Sequence, residues 1–294
     1  MYEMDVSNNP QEITIGKYRL LKPLGNGKFG KVFLVQEKEP IYTVQEYYAL
    51  KVEERDTEYA SLQHEITVLH HLLKRDITHI PCLYWYGTED NWRFAATTLF
   101  TGGTLSNTLD WDIIVQWFQQ SCEILQQVHK AGVVHRDIKP VHFIRDDTGD
   151  WNLIDFGLST YYVCGKDKMY IPKESKTNII GTPKYISLYV QNGTTPSRRD
   201  DFISLIYIFL NLYLQKFHTV QLPWMDLHPE DNNSEFSLSE VRHPYNETLV
   251  YCKSWIPLYK WLSQYPIETP ILNMIKSCAK WNYESEPVFE ELAV

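Results

Sequence analysis

Two aspartates frame the chemistry available to this sequence. Asp137 stands in the run Val133-Val134-His135-Arg136-Asp137-Ile138-Lys139-Pro140-Val141-His142-Phe143, where an apolar pair leads into His-Arg-Asp and a lysine follows two places on. Asp155 closes a second short apolar run, Trp151-Asn152-Leu153-Ile154, and is followed by Phe156-Gly157. Eighteen residues separate the two carboxylates, with the polar turn Asp146-Asp147-Thr148-Gly149-Asp150 between them. A hairpin through that turn would let them face one another. Phosphoryl transfer needs such a pair: one carboxylate beside the nucleophile's proton, one holding a divalent metal on the phosphates.

The flanking text says what must hold that pair. Tyr18 to Leu24 and Lys31 to Val35 read as strands around Gly25-Asn26-Gly27-Lys28-Phe29-Gly30. A dinucleotide fold uses the same glycine spacing but needs a helix directly after it. Here a strand follows, which leaves a flap over phosphates or an ordinary glycine-rich hairpin. Tyr47 to Glu53 is another strand, with Lys51 among apolar neighbours, and residues 58–74 carry a helical stripe of Leu62, Ile66, Leu69 and Leu73 beside Glu65. Lys51 and Glu65, fourteen residues apart, are either a buried pair that readies an ammonium for phosphates or two solvated surface charges.

His79-Ile80-Pro81 breaks that helix, Leu83–Tyr86 and Arg93–Ala96 read as a strand pair, and 97–103 reads as a connector. A helix over 109–131, closed by Gly132, delivers the chain to His135. After Gly157 comes a polar, tyrosine-rich segment, which Gly181-Thr182-Pro183-Lys184-Tyr185 closes. Ser197-Arg198-Arg199-Asp200-Asp201 caps an apolar helix over 202–214, and 226–247 reads as a long surface loop. Helical runs are expected near 255–265, 267–279 and 286–293.

Bulk properties narrow the class. The chain has 294 residues, a net charge of −9 and five scattered cysteines with no C-x-x-C spacing. The charge argues against a general nucleic-acid binder, and the cysteines suit reduced thiols in the cytoplasm or nucleus. No secretory signal is visible at the N-terminus, and the apolar run 202–214 is too short to span a bilayer, so no membrane association is expected. Three Asn-x-Thr/Ser sites, at Asn192, Asn232 and Asn246, carry no weight without export.

Together, H-R-D-x-K-P, D-F-G, the glycine turn and the Ala49-Leu50-Lys51 strand resemble the protein kinases. Ser197 to Asp201, Leu222-Pro223-Trp224 and His79-Ile80-Pro81 narrow the resemblance to the casein kinase 1 group, with its tau-tubulin and vaccinia-related kinase relatives, from about Tyr18 onward. The resemblance implies an α+β, two-lobed fold: a lead-in over 1–15, a sheet-rich lobe with one helix over 16–97, and a mainly helical lobe over 98–294. It implies ATP and Mg²⁺, with Mn²⁺ as an alternative, and serine or threonine hydroxyls of protein substrates as acceptors, for an enzyme acting as a monomer.

By the same resemblance, Gly25, Gly27 and Gly30 would cover the phosphates, Lys51 would grip them, and Glu65 would fix Lys51. Leu24, Val32, Ala49, Thr97, Thr98 and Phe100 would complete the nucleotide contacts. Asp137 would orient the hydroxyl and accept its proton, Lys139 would neutralise the moving phosphoryl group, and Asp155 would hold magnesium. Asp201 would brace the catalytic loop.

The sequence departs from the family at four points. His142 replaces the asparagine that ligates the second metal, and imidazole nitrogen suits magnesium less well than an amide oxygen. Ser187-Leu188-Tyr189 replaces S-I-N, and acidic residues follow Leu222-Pro223-Trp224 where the family writes basic ones. The long tail of some relatives is not expected here. Three readings stay open: an active serine/threonine kinase with altered metal use, a pseudokinase or nucleotide-binding scaffold disabled at His142, and a kinase-like fold acting on a small molecule.

Overall fold

The computed structural model describes residues 13–27, 30–39, 46–56, 61–164, 169–170, 173–175, 178–227 and 243–287. Of the expected lead-in, residues 1–12 lie outside that set, and Thr14–Ile15 (β1) is already a strand, paired with Tyr18 and Arg19. Two compact units emerge, residues 1–70 with 81–99 and residues 71–80 with 100–294.

In the first unit β1 joins Tyr18–Gly27 (β2), Gly30–Glu37 (β3), Tyr47–Glu54 (β4), Leu83–Glu89 (β5) and Trp92–Thr98 (β6) in an antiparallel sheet of order β1-β2-β3-β4-β6-β5. Helix Ser61–Leu73 (α1) belongs to this unit as far as His70. Strand alternation sorts the two faces. Tyr48, Leu50 and Val52 join Tyr18, Val35, Phe94 and Ala96 in one buried cluster. Val32 pairs with Lys51, Lys51 with Ala95, and Ala49 with Thr97, so these residues share the opposite face. There Leu62 and Ile66 of α1 pack on Ala95, which sets the helix against the lysine's side of the sheet.

Glu53 ties β4 to the start of α1. Its buried Oε1 accepts from Ser61 Oγ at 2.8 Å and Leu62 N at 3.1 Å, and Arg93 lies 3.5 Å from Oε2. A carboxylate there satisfies opening helix donors and complements the helix dipole. At Gly30 the backbone has φ of +137°, and a Cβ would fall 2.4 Å from the Val52 carbonyl oxygen. Gly30→Ala should therefore lower the unfolding free energy by about 1–3 kcal/mol, read from urea denaturation. An unchanged midpoint would mean that the β2–β3 ribbon can shift to admit a methyl group.

The second unit is mainly helical. Trp111–Lys130 (α2) packs on Arg198–His218 (α4), with Phe118 stacked on Phe209 at 4.3 Å between ring centroids. Gly132, at φ of +84°, ends α2 as expected. Helix α4 is longer than the expected 202–214, and Arg198 to Leu210 is buried without a break, as suits a central core helix. Against α2 lies the hairpin of Phe143–Arg145 and Trp151–Leu153, whose turn is held by Asp146 accepting from the backbone of Thr148 and Asp150, each at 3.0 Å.

Leu188–Gln191 (α3), Pro244–Lys253 (α5), Trp255–Leu262 (α6) and Thr269–Lys280 (α7) complete the unit. Helix α5 begins inside the expected 226–247 loop, whose residues 228–242 lie outside the described set. Its start is set by Pro244 in the first turn and by His243, whose Nδ1 accepts from Tyr245 N. Of the run expected over 286–293, residues 286–287 are not helical and the rest lie outside the described set. The described cysteines 82, 122, 252 and 278 are free thiols. Among the described residues no helix is long and apolar enough to cross a membrane. Asn246 is wholly buried, and its Oδ1 accepts from Gln191 Nε2 at 2.8 Å, so that acceptor site is closed in the folded chain.

Candidate active site

The loop that carries Asp137 is held from both sides. Val133–Val134 pairs antiparallel with Thr160–Tyr161, so the strands entering the first loop and leaving the second are locked together. Asp201, in the first turn of α4, reaches the loop backbone. Its Oδ2 accepts from His135 N at 2.8 Å and from His129 Nε2 at 2.9 Å, and its Oδ1 accepts from Arg136 N at 2.9 Å. Burial raises the Asp201 pKa, but the His129 bond, the nearby histidines and the backbone donors outweigh it and hold the carboxyl below its ordinary value.

Those bonds oppose strain. Arg136 has φ of +70° and Asp155 φ of +65°, left-handed conformations that cost a non-glycine residue roughly 1–2 kcal/mol. Arg136 is further pinned by its Nε on Leu158 O at 2.5 Å and its guanidinium on Ser159 O at 3.2 Å. His135, wholly buried, completes the frame, with Nε2 donating to Ile154 O at 3.1 Å and Nδ1 accepting from Asp137 N at 3.3 Å. Burial, and next His142, push its pKa down, so it serves as a neutral strut.

Asp137 gathers two donors. Lys139 Nζ lies 2.7 Å from Oδ2, and Thr182 Oγ1 donates to Oδ1 at 2.7 Å. Thr182 can come so close because Gly181 lets the segment touch the loop. A Cβ at Gly181 would sit 2.5 Å from Arg136 O, and its φ is +101°. Burial raises the Asp137 pKa, but His142, Lys139 and Thr182 prevail and hold the carboxyl below its ordinary value.

His142 links the two carboxylates. Its Nδ1 is 2.9 Å from Asp137 O and 3.9 Å from Asp137 Oδ2, and its Nε2 is 3.2 Å from Asp155 Oδ2. A carbonyl only accepts, so Nδ1 carries the proton of that bond. Nε2 then faces Asp155 in one of two ways. Protonated, it pairs with the carboxylate; unprotonated, its lone pair and the carboxylate oxygen can share a cation. A divalent metal fits the Asp155 oxygen, whereas the imidazole nitrogen fits a first-row transition ion better than magnesium.

In the other unit, Lys51 Nζ lies 2.7 Å from Glu65 Oε2, with both side chains largely covered. Val32, Ala49 and Thr97 share its face of the sheet, and Thr97 Oγ1 donates to Ala49 O at 3.4 Å. Gly25 pairs with Val32, Gly27 pairs with Gly30, and Leu24 is exposed on β2. Thr97 and Thr98 belong to β6 and not to a connector, and Thr98 Oγ1 accepts from Cys82 N at 3.0 Å. Phe100 opens the second unit's long segment.

Sequence reasoning gave no role to Thr182 or Lys253. Thr182 had a signal, since it follows a glycine in the motif that closes the tyrosine-rich segment. Lys253 had none. It is wholly buried, and its ammonium donates to Pro183 O at 2.6 Å, Ile186 O at 2.8 Å and Gln191 Oε1 at 3.0 Å. The Tyr207 and Trp224 rings stand 5.8 Å from the same nitrogen. Burial pushes its pKa well down, while three acceptors match the three protons of the ammonium form. Lys184 donates to Met225 O at 2.6 Å, and Trp224 Nε1 donates back to Lys184 O at 2.9 Å.

The chain is similar to Casein kinase I homolog 1 of Saccharomyces cerevisiae, 29% identical over 231 residues that cover 74% of this chain and 41% of the relative. It thus spans less than half the length of that curated relative. Residues 18–292 match the family described as protein kinase domain, a span that takes in the glycine turn, the Lys51–Glu65 pair and both strained aspartate loops. By that match the chain belongs to the protein kinase domain family.

Proposed function

We propose that the chain is a serine/threonine protein kinase of casein kinase 1 type that transfers the γ-phosphate of ATP to hydroxyls of protein substrates. The observation that carries this reading is Asp137: strained loop behind it, Lys139 and Thr182 on its oxygens, and Asp155 one imidazole away. ATP with a divalent cation supplies the phosphoryl group and neutralises charge on its oxygens. Asp137 orients the substrate hydroxyl and takes its proton at a carboxylate oxygen. Thr182 and Lys139 keep that carboxylate aimed, and Lys139 offsets charge on the group in transit. Lys51, fixed by Glu65, would offer its ammonium to the phosphates, and Asp155 would hold the metal.

The remaining nucleotide contacts are assigned to Leu24, Gly25, Gly27, Gly30, Val32, Ala49, Thr97, Thr98 and Phe100. The scattered cysteines favour action in the cytoplasm or nucleus. The Lys139 position favours serine and threonine over tyrosine, by resemblance to kinases that carry a lysine there.

A specific contact favours a second reading. If the 3.2 Å approach of His142 Nε2 to Asp155 is an ion pair, the metal's carboxylate is already neutralised and the chain is a nucleotide-binding scaffold. A metal series of ATP turnover on wild type and His142→Asn separates the two. Weak transfer with Mg²⁺ that rises at least about tenfold with Mn²⁺ marks His142 as a ligand. No transfer with either ion, restored with Mg²⁺ in His142→Asn, establishes the scaffold.

A further inference from the structure

Helix α6 has apolar residues on two faces. Leu258 and Leu262 are buried, but Ile256 is 83% exposed and Tyr259 41% exposed. An amphipathic surface helix presents polar side chains outward, so an apolar outer face calls for something to cover it. That face is one wall of a groove of about 360 Å³, formed by Trp255, Ile256 and Tyr259 of α6 and by Ile275 and Ala279 of α7. Lys260 and Lys276 stand at its rim, and Lys276 Nζ lies 5.6 Å from the Tyr259 ring centre, steadied there by the ring's face.

Charge selects the occupant. Between residues 248 and 283 the only charged side chains are Lys253, Lys260, Glu268, Lys276 and Lys280, in a chain whose net charge is −9. Lys253 is spent on buried acceptors, and the two charged side chains that line the groove, Lys260 and Lys276, are both positive. Among the described residues neither rim lysine has a carboxylate partner. A groove between two helices receives inserted side chains, the mode in which a peptide segment docks, whereas an interfacial helix lays a continuous apolar face on lipid.

We propose that the α6–α7 groove is a docking site for an acidic segment of a partner protein that inserts bulky apolar side chains between the two rim lysines. None of its lining residues belongs to the catalytic loops, so the inference stands independently of catalytic activity.

The test is a random-peptide display library selected on the full chain and counter-selected on Ile256→Glu, a change at an exposed position. Selected peptides should pair Asp or Glu with Leu, Phe or Trp. In fluorescence anisotropy they should bind Ile256→Glu and the Lys260→Glu/Lys276→Glu double variant at least about tenfold more weakly than wild type, or 1.4 kcal/mol. Unchanged thermal unfolding of both variants would exclude a folding defect. The proposal is overturned if selection yields no peptide that distinguishes wild type from Ile256→Glu, or if the selected peptides are basic. It is equally overturned if phosphatidylserine vesicles, and not peptides, show the Ile256-dependent binding, or if wild type alone self-associates through this face.

Discussion

Asp137→Asn is expected to lower kcat for phosphoryl transfer by about 10²–10⁴-fold, the contribution typical of a positioned general base, with little change in nucleotide affinity. The substitution keeps the volume of a side chain buried in its loop. It removes the site that takes the proton and turns an amide NH₂ toward one of two donors, Lys139 Nζ or Thr182 Oγ1. Burial alone would raise the Asp137 pKa, but His142, Lys139 and Thr182 hold it below the 3.8 of a free aspartate. A depressed carboxyl contributes stability above its unfolded pKa and loses it as pH falls through the folded value. Asp137 is therefore charged throughout the neutral range, and its own titration cannot set an acid limb of activity near pH 6. Initial rates with γ-labelled ATP check this, and a kcat near that of wild type would remove Asp137 from the role of base.

Lys253→Met is expected to cost about 3 kcal/mol of stability and to loosen the segment from Thr182 to Ile186 before the rest of the unit. The figure is a difference of large opposing effects. Removing a buried cation relieves its desolvation, but Pro183 O, Ile186 O and Gln191 Oε1 lose their donor, at about 1–3 kcal/mol for each buried acceptor left unpaired. Methionine refills the space beside Tyr207 and Trp224 but satisfies none of the three. Because Thr182 shares that segment and bonds Asp137, the loss should reach the active site as a lower kcat. Urea denaturation with hydrogen exchange measures both effects. Wild-type stability together with wild-type protection at Ile186 would show that the three carbonyls find other partners.

What the sequence revealed follows from how local each constraint is. Lys51 and Glu65 were legible as a candidate pair because a strand period and a helical stripe each fix a face, and their ion pair follows once α1 packs on Ala95. The His135–Asp137 loop, the hold of Asp201 on its backbone and the Gly132 helix end were legible because short motifs carry them. Lys253 was not, since its acceptors lie up to seventy residues away and are mostly backbone carbonyls, which leave no trace in residue type. Helix α5 was missed because a polar stretch hid its start at Pro244. Glu53 carried no reading beyond the strand expected over Tyr47 to Glu53, and only the approach of Ser61 and Leu62 makes it an acceptor for the start of α1. His142 stood out as a departure in the sequence, yet its span from Asp137 to Asp155 depends on two left-handed residues that no periodicity reveals.

The central claim is that Asp137 and Asp155, bridged by His142, are the working parts of a phosphotransferase. The most direct measurement is phosphoamino-acid analysis after incubating the purified chain with γ-labelled ATP, a mixed serine, threonine and tyrosine peptide substrate, and either Mg²⁺ or Mn²⁺. The account predicts label on serine or threonine with at least one ion, absent from Asp137→Asn. Label on tyrosine alone, or none from the wild type with either ion, would contradict it.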